Sequence, residues 1–542
     1  MKKTVLLFML ISSLSFAQKK FFTHQDTLRG SITKERIWWD LQHYKLELSV
    51  YPKIKFINGK NTIRYKVLEP YQTLQIDLQN PLKITKITQN NIPLDFKKDG
   101  YSYFIKLKNK QYKDKIYEII VFYEGNPLVS KNPPWSGGFT WKKDKNNNDF
   151  IATTCQGIGA SIWWPNKDHM YDEPDNGMDI IVTTPKHLMA ISNGRLIKTI
   201  RNKNETATYF WKVINPINNY GVNITVGKYI HFSEIFKGEK GNLDCNYYVP
   251  AYNLEKAKKQ FKQVKKMLLA FEYWFGAYPF YEDSYKLVEV PYLGMEHQSS
   301  VTYGNHYKNG YLGRDLSGTG WGLKFDFIII HESGHEWFAN NITYKDIADM
   351  WIHESFTAYS ETLYLNYHFG KNAGNQYVIG TRKRIRNTSP IIGIYNVNKS
   401  GSGDMYYKGA NMIHTYRQLV NDDKKFRQIL RGMSQKFYHQ TVTTQQIENY
   451  MSEQLGQSLI GFFNQYLRSI KIPKLEYRIS KNTIFYRFTN IVDGFNIPIK
   501  VFIDKKIQWI RPSKEWKNLK IENKISSFSM DKNFYIQIKK VK

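Results

Sequence analysis

His331 and His335 stand four apart in the stretch "IIIHESGHEWF", with Glu332 between them. Residues at this spacing share one face of an α-helix with about 6 Å of rise between them, so two imidazoles can converge on one ion at about 2.0–2.1 Å each. Glu332 cannot point along the same line as both histidines, and a carboxylate so placed is suited to taking a proton from water. The pattern also arises by chance, where it is only a helix passing from core to surface. A third ligand decides between the two readings. Further along, in "DMWIHESFTAYSE", Glu354, Ala358, Glu361 and Leu365 follow helical spacing, which lays two carboxylates on one face of a largely apolar helix. Buried carboxylates need a partner, and a metal supplies one. Histidines that hold a metal are oriented through their free ring nitrogens, and Asp349 and Glu361 are the candidates for that task. Asp349 is equally placed to cap a helix beginning near Met350.

Three stretches of different periodicity must position these residues. From about Trp38 to Ile230 apolar and polar residues alternate, as in "NTIRYKVL", "YEIIVFY" and "MDIIVTTP", with turns such as Asn58-Gly59 between them; this is the pattern of a large antiparallel β domain. From about Asn253 to Ile470 the spacing is helical, with Phe261, Val264, Met267, Leu268 and Phe271 recurring at three and four. After Pro473 alternation returns in "NTIFYRF", "IPIKVFI", "KIQWI" and "FYIQIKK", a length that suits a small β-sandwich. The expected fold is multidomain α+β, divided as 18–232, 233–470 and 471–542.

A chain of 542 residues with 42% hydrophobic and 15% aromatic content has ample material for several packed domains. The first residues, "MKKTVLLFMLISSLSFAQKK", read as a signal peptide spanning 1–17, cut after Ala17. Its apolar run is shorter than the roughly 20 residues a membrane span needs, and no later stretch is long and apolar enough. An exported protein without a membrane span, periplasmic or extracellular, is expected. Its two cysteines, Cys155 and Cys245, exclude a thiolate-rich metal site; whether they pair is not legible. The net charge of +31 comes from lysines scattered along the chain with no recognition motif, so nucleic acid is not an expected partner.

Four ordered motifs and one longer stretch add a family resemblance. His331-Glu332-x-x-His335 followed by Glu354 resembles the zinc site of the aminopeptidase N family of metallopeptidases, which includes the leukotriene A4 hydrolases. "WFANN" is similar to the family's Trp-Phe-Gly-Asn, with Ala339 in place of glycine. "LGMEH" resembles its Gly-x-Met-Glu-Asn motif, with Leu293 for glycine and His297 for asparagine, and "YYKGA" resembles its Tyr-x-Lys-Gly-Ala. "CQGIGASIWWPNKDHMYDEP" is similar to the stretch of the N-terminal domain that reaches the active site. His353 also stands where the family commonly has asparagine.

The resemblance implies a saddle-like N-terminal β domain and a thermolysin-like catalytic domain. It implies one Zn2+ held by His331, His335 and Glu354, with Glu332 as general base. Tyr406 matches the tyrosine that donates to the tetrahedral oxyanion, Tyr407 being the competing candidate. Glu296 would pair with the free α-ammonium of a peptide and Gln156 would help hold it, while Gly294 and Met295 would line an extended edge that accepts the peptide as an added strand. The chain leaves no room for the large helical domain of the family's longer members, so a more open cleft is expected. The expected function is that of an exported zinc aminopeptidase. The alternatives are a zinc endopeptidase or epoxide hydrolase of the same superfamily, or a secreted binding protein with a retired site.

Overall fold

The computed structural model describes residues 22–542; the expected signal peptide lies outside them. The N-terminal part is built on an eight-stranded sheet in the order Arg195–Arg201, Thr206–Val213, Met178–Pro185, Trp39–Tyr51, Phe56–Val67, Ile116–Gly125, Lys83–Gln89 and Ile92–Pro93. Alternation along Trp39–Tyr51 puts Trp39, Leu41, Leu46, Leu48 and Val50 into the core, each at most 3% exposed, as the two-residue period of a strand requires. One pair departs from the expected antiparallel arrangement. Trp39–Tyr51 runs parallel to Met178–Pro185, which is possible because a long crossover separates them. That crossover carries the three-stranded sheet of Thr73–Asp77, Ser102–Lys106 and Asp95–Asp99 and begins a four-stranded sheet with Gly138–Lys143 and Asp149–Thr154.

A five-stranded sheet opens the catalytic part, in the order Tyr229–Gly238, Gly241–Pro250, Tyr285–Glu289, Val301–Tyr303 and Gly294–Met295. The expected boundary at 232/233 falls inside its first strand, which pairs only with Gly241–Pro250; the catalytic unit therefore begins at about Tyr229. Alternation continues across that point, and periodicity alone does not say which sheet a strand joins. Helices then pack on this sheet. Lys262–Phe275 buries Val264, Met267, Leu268 and Phe271, the stripe read from the sequence, and stops at Gly276, whose φ of 94° ends the helix. Its aromatic face meets the end of the histidine-bearing helix, with Phe271 and Trp337 ring centroids 5.7 Å apart and those of Phe275 and Phe338 5.0 Å apart.

The C-terminal part forms two small sheets, one of Lys517–Lys520, Thr483–Thr489, Lys474–Ser480 and Gln537–Lys540, the other of Lys506–Ile510, Ile499–Ile503 and Phe528–Met530. Leu475, Phe488, Phe495 and Val501 share one continuous core with Phe462 and Tyr466 of the last catalytic helix, so this part is fused to the catalytic domain. Cys155 and Cys245 are both buried single thiols, unpaired. Among the described residues no helix is long and apolar enough to cross a membrane.

Candidate active site

The first histidine lies on the helix Phe327–Gly334, which is buried on every side because it runs through the core rather than along the surface. Asp326 starts it: its carboxylate accepts the Ile328 and Ile329 N–H groups at 3.1 and 3.4 Å and satisfies two of the free donors at a helix start. The same carboxylate accepts from Gln260, Tyr303 and Asn305, which ties the start of the helix to the sheet. The helix ends at Gly334, and His335 is its C-terminal cap, still in αR conformation. A Cβ on Gly334 would lie 2.7 Å from Ser360 Oγ. The glycine thus lets the helix Trp351–Phe369 approach closely and present Glu354.

His331 Nδ1 lies 2.7 Å from Glu361 Oε1 and His335 Nδ1 lies 3.0 Å from the Phe338 carbonyl oxygen. Each imidazole donates its Nδ1–H there, which leaves the Nε2 lone pair free. Both Nε2 atoms face Glu354 Oε2, at 3.7 and 3.5 Å. Two donors each 2.0–2.1 Å from a tetrahedral ion are about 3.3 Å apart, so the three atoms need to close in only slightly. Glu354 Oε2 is buried without a hydrogen-bond partner, as a donor reserved for a metal would be. The three residues group together as potential ligands among the described residues, and this set of two imidazoles and one carboxylate fits zinc.

Glu332, Glu354, Tyr406 and both histidines line a cleft of about 470 Å3 together with Gln156, Gly294, Met295 and Glu296. Burial, reinforced by the like charge of Glu296, pushes the Glu332 carboxyl up to about 7, against the pull of His331. Gly294–Met295 is the edge strand of its sheet, paired on one side with Tyr303 and Thr302. At Gly294 a Cβ would meet Ile328 Cγ2 at 2.6 Å and Glu332 Cγ at 3.4 Å. Its absence brings the edge strand onto the histidine helix. Gln156 Oε1 is buried and has no partner.

Both adjacent tyrosines line the cleft, and Tyr406 is the one beside the potential metal ligands. Burial, then the charges of Glu354, Glu296 and Glu332, hold its hydroxyl protonated well above the usual range, and its ring stacks against His331 at 6.1 Å. Tyr407 is raised by burial and then by the charge of Glu361, with Arg384 opposing. Lys408 of the same motif is buried, donating to Asn387 Oδ1 and the Ser469 carbonyl oxygen at 2.8 and 2.7 Å; it anchors the loop that precedes the helix Tyr407–Val420.

Asp349 orients neither histidine. Its carboxylate accepts from Thr444 N, Thr444 Oγ1 and Tyr395 OH at 3.0, 2.6 and 2.5 Å, which directs it toward the start of the helix Thr444–Leu455 and away from the cleft. It does not cap the following helix either, whose first turn has no side-chain cap. Glu361 is fixed between His331 and the Tyr377 hydroxyl. His353 accepts the Tyr344 N–H at 2.9 Å, and His297 is buried against Thr302 with its Nε2 unpartnered. Three residues absent from the sequence-based set are close to the chemistry. Tyr220 donates to Glu296 Oε1 at 3.0 Å, and Arg314 and Arg384 line the cleft. None lies in a recognisable motif.

The fold and the donor set define a cleft with three potential metal ligands beside an edge strand. Comparison with known families supplies the class. The Peptidase family M1 domain matches residues 252–466 and the Peptidase M1 N-terminal domain matches residues 41–220; the chain belongs to peptidase family M1. It is 21% identical over 516 residues to "Probable aminopeptidase 1" of Sulfurisphaera tokodaii, covering 87% of this chain and 62% of that protein. It is 23% identical over 289 residues to the leukotriene A-4 hydrolase of Xenopus laevis, covering 50% of this chain and 44% of that one. The chain thus spans less than two thirds of the length of these curated relatives. An M1 zinc metallopeptidase from Deinococcus radiodurans shares the fold, with a TM-score of 0.64 at 19% identity over 78% of this chain and 91% of the other.

Proposed function

We propose that the protein is an exported zinc aminopeptidase that removes N-terminal residues from peptides. The observation that carries this reading is the position of Glu296, a buried carboxylate in the same cleft as His331, His335 and Glu354 and on the strand edge along which an extended peptide can pair. A free α-ammonium satisfies that carboxylate through a charge-assisted hydrogen bond, with Gln156 Oε1 as a second acceptor; an acylated amine cannot do so.

Zinc held by the two Nε2 atoms and Glu354 would supply a Lewis acid that polarises the scissile carbonyl and acidifies water. The remaining chemistry belongs to side chains. Glu332, its proton affinity raised by burial, takes the proton of the attacking water and returns it to the leaving amine. Tyr406 donates its hydroxyl hydrogen to the oxyanion, a contact typically worth about 3–4 kcal/mol of barrier. Gly294 and Met295 offer backbone groups to the peptide, and Glu296 sets how far it enters. Placing the substrate amine at Glu296 makes the first peptide bond the one cleaved.

The Glu332→Gln variant tests the reading. It should bind one equivalent of zinc, measured by metal analysis, and lose nearly all activity on aminoacyl amides; full activity would refute the role of Glu332.

A further inference from the structure

Gln156, the second acceptor proposed for the substrate amine, stands in a tight turn of the N-terminal domain. The Cys155 carbonyl oxygen accepts from the Ile158 and Gly159 N–H groups at 3.1 and 2.9 Å, so Gln156 and Gly157 form the tip. Gly157 and Gly159 have φ of 72° and 88°, in the left-handed region that favours glycine. Gln156 Oε1 has no partner of its own, so its direction is set by the backbone that carries it. That backbone is pinned at the Ile158 carbonyl oxygen, which accepts from Gln79 Nε2 at 2.7 Å and from the Arg29 guanidinium.

Arg29 reaches the turn from a distant part of the chain, the helix His24–Gly30. Its Nη2 also lies 3.6 Å from Asp168 Oδ2, and Asp168 accepts from Ala160 N and Ser161 N at 3.2 and 3.3 Å. The guanidinium and this carboxylate together grip the turn and the residues just after it. A Cβ on Gly159 would lie 2.4 Å from Arg29 Nη2 and 2.6 Å from Asp168 Oδ2; the glycine lets the pair close. The helix is anchored on three sides. Buried Arg36 donates to the Leu28 and Ser31 carbonyl oxygens at 2.9 and 2.8 Å and pairs with Asp77. His24 and Gln25 reach Asp99 at 2.9 and 3.0 Å, and Asn398 N of the catalytic domain donates to the Asp26 carbonyl oxygen at 3.1 Å. Arg29 lines a small cavity of about 60 Å3 with Cys155, Gly157, Asp168 and Tyr220. That cavity lies behind the amine site, because Tyr220 donates to Glu296.

We propose that Arg29 is a positioning residue for the amine site: by holding the Ile158 carbonyl oxygen it keeps Gln156 in the cleft beside Glu296. The role rests on Gln156 and Glu296 as acceptors of the substrate amine, and a double-mutant cycle tests it. Arg29→Met, Gln156→Ala and the double variant are compared on leucine amide, with zinc content and urea midpoint recorded for each. Arg29→Met should raise KM about tenfold, the scale of a hydrogen bond to a charged group, with kcat within about twofold of the parent and one equivalent of zinc retained. Gln156→Ala should raise KM by a similar factor. In the double variant the two factors should not multiply: KM stays within about twofold of Gln156→Ala alone, because Arg29 has nothing left to position. A merely structural arginine would give the same KM factor in both backgrounds. If Arg29→Met does not fold, Arg29→Lys carries the cycle, since it keeps a cation beside Asp168 without the planar fork; its smaller rise in KM should likewise vanish beside Gln156→Ala. An unchanged KM in the arginine variant, a loss confined to kcat, or KM factors that multiply would overturn the role of Arg29. Failure of the underlying reading shows elsewhere: a parental KM in Gln156→Ala removes Gln156 from the amine site and the role of Arg29 with it, whereas a raised KM there beside a parental KM in Arg29→Met removes the role of Arg29 alone.

Discussion

Tyr220 donates its hydroxyl hydrogen to Glu296 Oε1 at 3.0 Å, across the junction between the N-terminal and catalytic domains. Burial, then the charge of Glu296, keeps that hydroxyl protonated far above the usual range, so it acts only as a donor. It fixes one carboxylate oxygen and leaves the other for substrate. Removing the donor in Tyr220→Phe should raise KM for free-amine peptides by about tenfold, the scale of a hydrogen bond to a charged group, with a smaller effect on kcat. An unchanged KM would show that Glu296 is held by other means.

Glu361 and Asp349 separate two ways in which a buried carboxylate can serve this domain. Glu361 accepts from His331 and Tyr377, so Glu361→Gln should weaken zinc binding by about 10- to 100-fold in a competitive chelator titration. Asp349 accepts from Thr444 and Tyr395. Asp349→Asn should leave zinc affinity unchanged while lowering the urea midpoint, because buried hydrogen bonds are weakened. Reversed outcomes would exchange the two roles.

Gly409 sets the distance between the tyrosine and the ligand helix. A Cβ there would meet Ser355 Oγ at 1.9 Å and Cβ at 2.6 Å, and Ser355 is held by its own bond to the Met405 carbonyl oxygen at 2.6 Å. Gly409→Ala should destabilise by about 1–3 kcal/mol and lower kcat, since Tyr406 and Glu354 are pushed apart. Gly403→Ala, six residues earlier where a Cβ meets nothing within 4 Å, should stay within about 0.5 kcal/mol of the parent. Urea unfolding of the two variants side by side checks the contrast.

The pH dependence of stability follows from histidines buried in their neutral form. Burial pushes His297 and His414 down to about 3, and His169 as well, with help from Arg36. An unfolded histidine titrates near 6.5, so below that pH the unfolded chain takes up protons that the folded one refuses, and stability falls from about pH 6.5 toward 3. Each such histidine costs about 2 kcal/mol between pH 7 and pH 5. His297→Asn should reduce the difference in unfolding free energy between those two pH values by about that amount. An undiminished difference would mean that His297 charges within the folded protein.

What could be read in the sequence was local. His331, Glu332, His335, Glu354 and Glu361 are related by helical spacing over two neighbouring helices, whereas the short run Gly294–Met295–Glu296 was tied to them only by its resemblance to a family motif. Tyr220 was not legible because a separate domain carries it to Glu296. Arg314 and Arg384 were hidden among many basic residues, since only their place in the cleft distinguishes them from solvated charges. Asp349 was misplaced for the converse reason: its position near Glu354 in sequence says nothing of Thr444, which draws it away. The same limit applies to strands, whose alternation is visible while their partners, including the parallel pair and the sheet that Tyr229–Gly238 joins, are set by contacts distant in sequence.

The proposed function has Glu296 receive a free amine and so direct cleavage to the first bond. Its most direct test compares a peptide with its N-acetylated twin on the zinc-loaded protein, following product by mass. The expected result is release of the first residue from the free-amine peptide, with the acetylated twin left intact over the same time. Equal cleavage of both, or cuts at internal bonds, would contradict it.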